Sequence, residues 1–166
     1  MSTRKVEAVT TLIYRFISPF KNADDIAFLI GRTLLGVVLM AHGFEKYFQW
    51  GLGDTTERFV RYGVPMPSLS AFYAATVELL GGALLILGAA TTVISALVVV
   101  DMIGASVFSR AVFNGIRLLP NQQGWELNGT ILAIAAALLV CGSGRYSIDH
   151  LLLSRRPVKT AAPRSG

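Results

Sequence analysis

One cysteine, Cys141, and two histidines, His42 and His150, are all that the sequence offers of the residues that bind soft metals. A lone cysteine excludes an intramolecular disulfide framework, a CxxC redox pair and a cysteine-rich metal site. The histidines lie in different segments, in neither an HxxxH nor an HExxH pattern, so no metal centre is expected. No catalytic nucleophile with a matching base is legible either. Charge is scarce: Asp, Glu, Lys and Arg supply 15% of 166 residues, against 53% hydrophobic. With a mean hydropathy of +0.57, a soluble fold of this size could not hide its apolar surface. The net charge of +5 is no nucleic-acid footprint, because the basic residues sit at the ends of apolar runs and in the tails.

Long apolar runs are what the sequence has in quantity. A bilayer-spanning helix needs about 20 mostly apolar residues, and four segments approach that: Ile26 to Tyr47, then about 71–90, about 91–113 and about 125–140. Only Gly88 to Thr92 is left for a turn between the second and third, which predicts a tight antiparallel hairpin. Ahead of the spans, Val6, Val9, Ile13, Phe16, Ile17 and Phe20 recur at helical spacing between polar residues, as in an amphipathic helix lying on a membrane surface. From Gly51 to Ser68, Asp54 and Glu57 resemble a capping box, Phe59 and Val60 offer an apolar side, and Gly63, Pro65 and Pro67 end the segment. A short interfacial helix is expected there. Ser147 is placed to cap another through Leu153. The expected fold is all-α: an amphipathic segment over 1–25, a four-helix transmembrane bundle over 26–153, and a basic, disordered tail over 154–166, with no internal repeat.

Arg32 aside, Lys and Arg number nine on the side of the two termini and five (Lys46, Arg58, Arg61, Arg110 and Arg117) on the other. The positive-inside rule therefore puts both termini in the cytoplasm. Trp50, Tyr62, Tyr73 and Trp125 then mark the outer interface.

Arg32, Glu78 and Asp101 fall inside the apolar runs, where an unpaired charge costs about 2.5–3.5 kcal/mol on insertion scales. From the helical rise, Arg32 lies about 7 Å to the cytoplasmic side of the midplane and Glu78 about 3 Å to the other. An arginine side chain closes most of that gap, so Arg32 is expected to pair with Glu78, Asp101 or both. Gly36 and Gly43 near the face of Arg32, Gly82 near Glu78, and Gly104 with Ala105 near Asp101 would let the helices approach closely. Two readings stand side by side: a charge clasp that fixes packing, and a polar cavity that binds a small molecule or relays protons. Toward the outer surface lie His42, Glu45, Lys46 and Glu126. Lys46 is long enough to snorkel to water, Glu45 reads as interface-solvated, and His42 reads first as bonded to a helix neighbour, with a place beside Lys46 in the polar core or a ligand pocket as its alternative.

The run GRTLLGVVLMAHGFEKYFQW, a Val-Pro-Met-Pro loop, VELLGGALLILGAATT, Asp101-Met102 and the terminal GSGRYSID together resemble the DoxX family of small four-helix membrane proteins, over roughly Ile26 to Asp149. The stretch from Asn114 to Gln123 carries no motif that maps to it. The resemblance implies Arg32, Lys46, Glu78 and Asp101 as the polar core. It also implies a bacterial plasma membrane protein near redox enzymes: relatives look like a subunit of a thiosulfate:quinone oxidoreductase, or like anchors for superoxide dismutase and a sulfurtransferase. The reading placed first is a membrane scaffold for redox partner proteins in oxidative-stress or sulfur metabolism, non-catalytic by itself, with basic tails for an acidic partner or anionic lipid. The alternative is an oxidoreductase subunit that binds a quinone around Arg32, Glu78 and Asp101, and no other cofactor is implied. A small-solute or proton carrier ranks below both, since four short helices without inverted repeats leave little room for alternating access. Homo-oligomerisation stays open.

Overall fold

The structure, a computed structural model, describes residues 23–109 and 125–154. The expected N-terminal surface helix, the stretch 110–124 and the tail from 155 onward lie outside the described residues. Every regular element among those described is helical. Helix α1 (Ala23–Phe44) continues into a π-helical turn over Glu45–Gln49, and α2 (Gly51–Tyr62) follows. Helix α3 (Pro67–Thr76), a second π-helical turn over Val77–Gly81 and α4 (Gly82–Leu87) form one rod; α5 (Thr91–Phe108), α6 (Glu126–Cys141) and α7 (Ile148–Ser154) complete the described elements.

Among the described residues, three rods are long and apolar enough to cross a membrane: Asp25–Gln49, Pro67–Leu87 and Thr91–Phe108. Helix α6 is apolar but shorter, at 16 residues, about 24 Å of rise. These rods pack as a four-membered ring: the first against the second and α6, and α5 against the second and α6. Leu39, Leu85, Val98 and Ala135 are fully buried at the centre of the ring, while Leu34, Leu80, Val93, Val100 and Val140 are mostly exposed on its outside. A belt of outward-facing apolar side chains suits hydrocarbon, where helices satisfy their own backbone groups, and would be an aggregation liability in water.

Lipid tails are as apolar as leucine, so membrane helices adhere by close contact. That contact is visible between the first two rods. A β-carbon on Gly36 would lie 2.5 Å from the Gly82 carbonyl oxygen, and one on Gly82 would lie 2.6 Å from that of Gly36. A β-carbon on Gly43 would run into the backbone of Leu79. Gly104, expected to serve the same purpose, has nothing among the described residues within 4 Å of its β-position.

The expected helix after the first rod exists as α2. Its capping box does not, because the helix starts at Gly51, with Trp50 as N-cap and no side-chain capping bond; Asp54 and Glu57 are already inside it. The second rod begins at Pro67, earlier than expected, since proline is well suited to a first helical turn. The turn into α5 is as tight as expected, with Gly88 and Ala90 both at positive φ. Ser147 caps α7 as expected, its Oγ accepting the amide of His150 at 3.1 Å.

Candidate functional site

The charged residues of the spans separate toward opposite ends of the ring. Arg32 is 2% exposed, yet it meets neither Glu78 nor Asp101, which corrects the expected pairing. Its guanidinium donates to the backbone carbonyls of Ser143, at 3.0 Å, and Tyr146. Helical side chains lean toward the N-terminus of their own helix. The first two rods are antiparallel, so Arg32 leans toward the Ala23 end of the ring and Glu78 toward the opposite end. Backbone height alone made them look like neighbours.

What Arg32 braces is the terminal GSGRYSID sequence, folded back as a plug. Asp149 accepts the amides of Ala90 and Thr91 at 2.7 and 2.8 Å, supplying the N-cap that α5 lacks in its own sequence. The Asp149 amide in turn donates to the Gly88 carbonyl at 3.0 Å. Asp25 accepts the Arg145 amide at 3.0 Å, and the hydroxyls of Ser143 and Ser147 lie 2.8 Å apart. A β-carbon on Gly88 would collide with the Arg32 guanidinium, so the plug is held by contact as well as by hydrogen bonds.

The opposite end of the ring carries the carboxylates Glu78 and Asp101. Lys46, expected to snorkel outward, turns inward and donates to Glu78 Oε2 at 2.5 Å, with side chains 15% and 6% exposed. Lys46 lies in the first π-helical turn and Glu78 in the second. Such turns are uncommon and recur at functional positions, because the extra residue re-aims the side chains around it. Above the ion pair opens a cavity of about 650 Å³, within the size range of small-molecule sites. Asp101 also faces it, 9% exposed, with Oδ2 buried and unpartnered among the described residues. Gly104, Ala105 and Phe108 line the cavity from the face of α5 that carries Asp101.

The expected polar core thus divides: Lys46, Glu78 and Asp101 come together, and Arg32 does not join them. His42 pairs with its helix neighbour Glu45 at 3.4 Å, both about one-third exposed, and is not among the residues lining the cavity. Glu126 is. Cys141 is exposed rather than the packing residue its small size would allow.

Sequence reading missed the roof. Thr55, Arg58, Phe59 and Tyr62 of α2 line the cavity, and Arg58 stacks over the Trp50 ring at 4.0 Å. Their i, i+3, i+4, i+7 spacing was the available signal, since it marks one helical face. The geometry suits an amphiphile: apolar and aromatic walls for a hydrocarbon body, and, among the described residues, two cations (Lys46, Arg58) and three carboxyl groups (Glu78, Asp101, Glu126) for a polar head. No group of three or more His, Cys, Asp or Glu among the described residues could hold a metal ion.

Residues 27–111 match the family described as DoxX. The chain is 26% identical over 133 residues to "Inner membrane protein YphA" of Escherichia coli, covering 79% of this chain and 94% of the relative. It is 32% identical over 135 residues to "Uncharacterized membrane protein Rv3486" of Mycobacterium tuberculosis, covering 75% and 80%. It is also 32% identical over 83 residues to "Putative oxidoreductase CatD" of Bacillus subtilis, covering 50% and 59%. No solved structure matches the chain.

Proposed function

The chain belongs to the DoxX family of membrane proteins, and we propose that it is the quinone-binding membrane subunit of a redox complex in a bacterial inner membrane, with both termini cytoplasmic. The observation that carries this reading is the 650 Å³ cavity with Lys46, Glu78 and Asp101 facing it. The family resemblance and a relative named as an oxidoreductase agree with it. The expected site moves: Arg32 leaves the quinone pocket and Lys46 enters it.

A quinone supplies redox chemistry by taking up two electrons and two protons. This chain's contribution is to bind and to hold protons. Lys46 Nζ offers N–H groups to a carbonyl oxygen of the head while Glu78 neutralises its charge, so the cation is not stranded at membrane depth. Glu78 and Asp101 are carboxyl groups placed to exchange protons with the head. The walls from α2 and α5 exclude water and hold the apolar body. With no redox pair of its own, the chain takes its electrons from a partner protein, which joins this reading to the expected recruitment of redox enzymes by the basic tails.

Extraction of detergent-purified protein with organic solvent, followed by chromatography of the extract, tests the reading. A near-stoichiometric quinone that falls several-fold in Glu78→Gln is the expected result. Absence of quinone from the extract, together with no binding of an added decyl-substituted benzoquinone, would sink it.

A further inference from the structure

The second rod and α5 part company near Glu78. Helix α4 and the second π-helical turn pack against α5, whereas α3 scarcely does, so the two rods splay toward the cavity end of the ring. The cavity occupies the wedge between them: Ser70, Tyr73 and Ala74 line it from α3, and Val100, Gly104 and Phe108 from α5. One bond crosses the wedge on the side of the plug. The Tyr73 hydroxyl donates to the Leu97 carbonyl at 2.8 Å, at an exposed position.

The wedge reaches from the interior of the bundle to its outer face. Val100 and Asp101 are successive residues, about 100° apart round the helix; both line the cavity, yet they are 61% and 9% exposed. The cavity therefore passes through the wall of the ring. Between those two directions points Gly104, whose β-position meets nothing among the described residues within 4 Å. At the end away from the plug, by contrast, α2 packs against α3 and lines the cavity as its roof.

A ligand with a long alkyl tail resides in hydrocarbon. To enter past the roof it would first carry every methylene of that tail into water, at a cost that grows with each carbon. Through the wedge the tail never leaves an apolar surrounding. We infer that the cavity is filled sideways from the bilayer, with the ring of the ligand at Lys46 and Glu78 and its tail lying between Tyr73 and Gly104 and emerging past Val100 into lipid. The inference rests on the quinone reading above and narrows the ligand to a long-tailed, lipid-dissolved form. Tyr73, tied to Leu97, sets how deep the tail can lie.

Photolabelling of the full chain in lipid nanodiscs with a benzoquinone that carries a diazirine midway along its decyl chain tests this, once with and once without an excess of the plain decyl compound. Binding of the ring is read separately, by quenching of the cavity-lining Trp50. The expected result is that most of the competed label maps to α5 around Val100 and Gly104 and to α3 around Tyr73. In Gly104→Leu, which fills the wedge, that label falls several-fold. Competed label concentrated on α2, or a map that Gly104→Leu leaves unchanged, overturns the inference, and the quinone reading stands so long as quenching is seen. If neither quenching nor competed label appears, both fall together. The wild-type map serves as the test even if the variant does not fold.

Discussion

At the Ala23 end of the ring a buried cation is held by backbone carbonyls, and at the opposite end a buried cation is held by a carboxylate. Arg32 bonds to Ser143 and Tyr146 within a plug that Asp149, Asp25 and Ser147 stitch to the neighbouring helices. Lys46 bonds to Glu78 beneath a cavity, with Asp101 left short of a partner. Carbonyls cannot be mutated away, whereas a carboxylate can. The first arrangement is therefore a fixture of the fold, and the second can be altered without dismantling it.

The largest expected effect is at Arg32. Replacing it with Met strands two carbonyls, at about 1–3 kcal/mol each, and no second substitution can restore them. A loss of about 3 kcal/mol or more, read as a lowered unfolding temperature in detergent, is expected. An unchanged Tm would break the contrast between the ends.

Lys46→Met comes next. Alone it leaves Glu78 buried without its cation, a loss of about 3 kcal/mol. Combined with Glu78→Gln, which removes the orphaned charge, stability should return to within about 1 kcal/mol of the original, while quinone binding stays lost. A double variant no more stable than the single one would show that the pair belongs to the fold in the same sense as Arg32.

Asp149→Ala tests the plug from its far side. It removes the side chain that caps α5 through two amides, at a cost of about 1–2 kcal/mol. Quinone binding at the other end should not change. Coupled loss of binding would mean that the ends are not independent.

Much of the fold was legible because hydropathy and helix length report on lipid directly. The apolar runs, the Gly88 turn, the helix after the first rod and the Ser147 cap were all readable locally. The pairing of the buried charges was not. Residue height along a helix says nothing of side-chain lean, and lean decided that Arg32 and Glu78 point apart. The π-helical turns that re-aim Lys46 and Glu78 leave no pattern in the residues themselves. The cavity roof was readable in principle from the spacing of Thr55, Arg58, Phe59 and Tyr62, but the capping-box reading drew attention to Asp54 and Glu57 instead.

Glycines make the smallest and sharpest form of the comparison, because sequence treats Gly36 and Gly104 alike as small residues inside a span. A methyl group on Gly36 meets the Gly82 carbonyl, so Gly36→Ala must push two rods apart, at about 1–3 kcal/mol. On Gly104 the same methyl group meets nothing among the described residues, and alanine is the better helix former by up to about 1 kcal/mol. Gly104→Ala should therefore leave the unfolding temperature unchanged or slightly raised. It also fills part of the cavity that Gly104 and Asp101 line, so a several-fold weaker quinone affinity in a fully stable protein is expected. Equal destabilisation by both substitutions would mean that α5 is packed there by something other than the described residues, and that the space assigned to a ligand belongs to the fold.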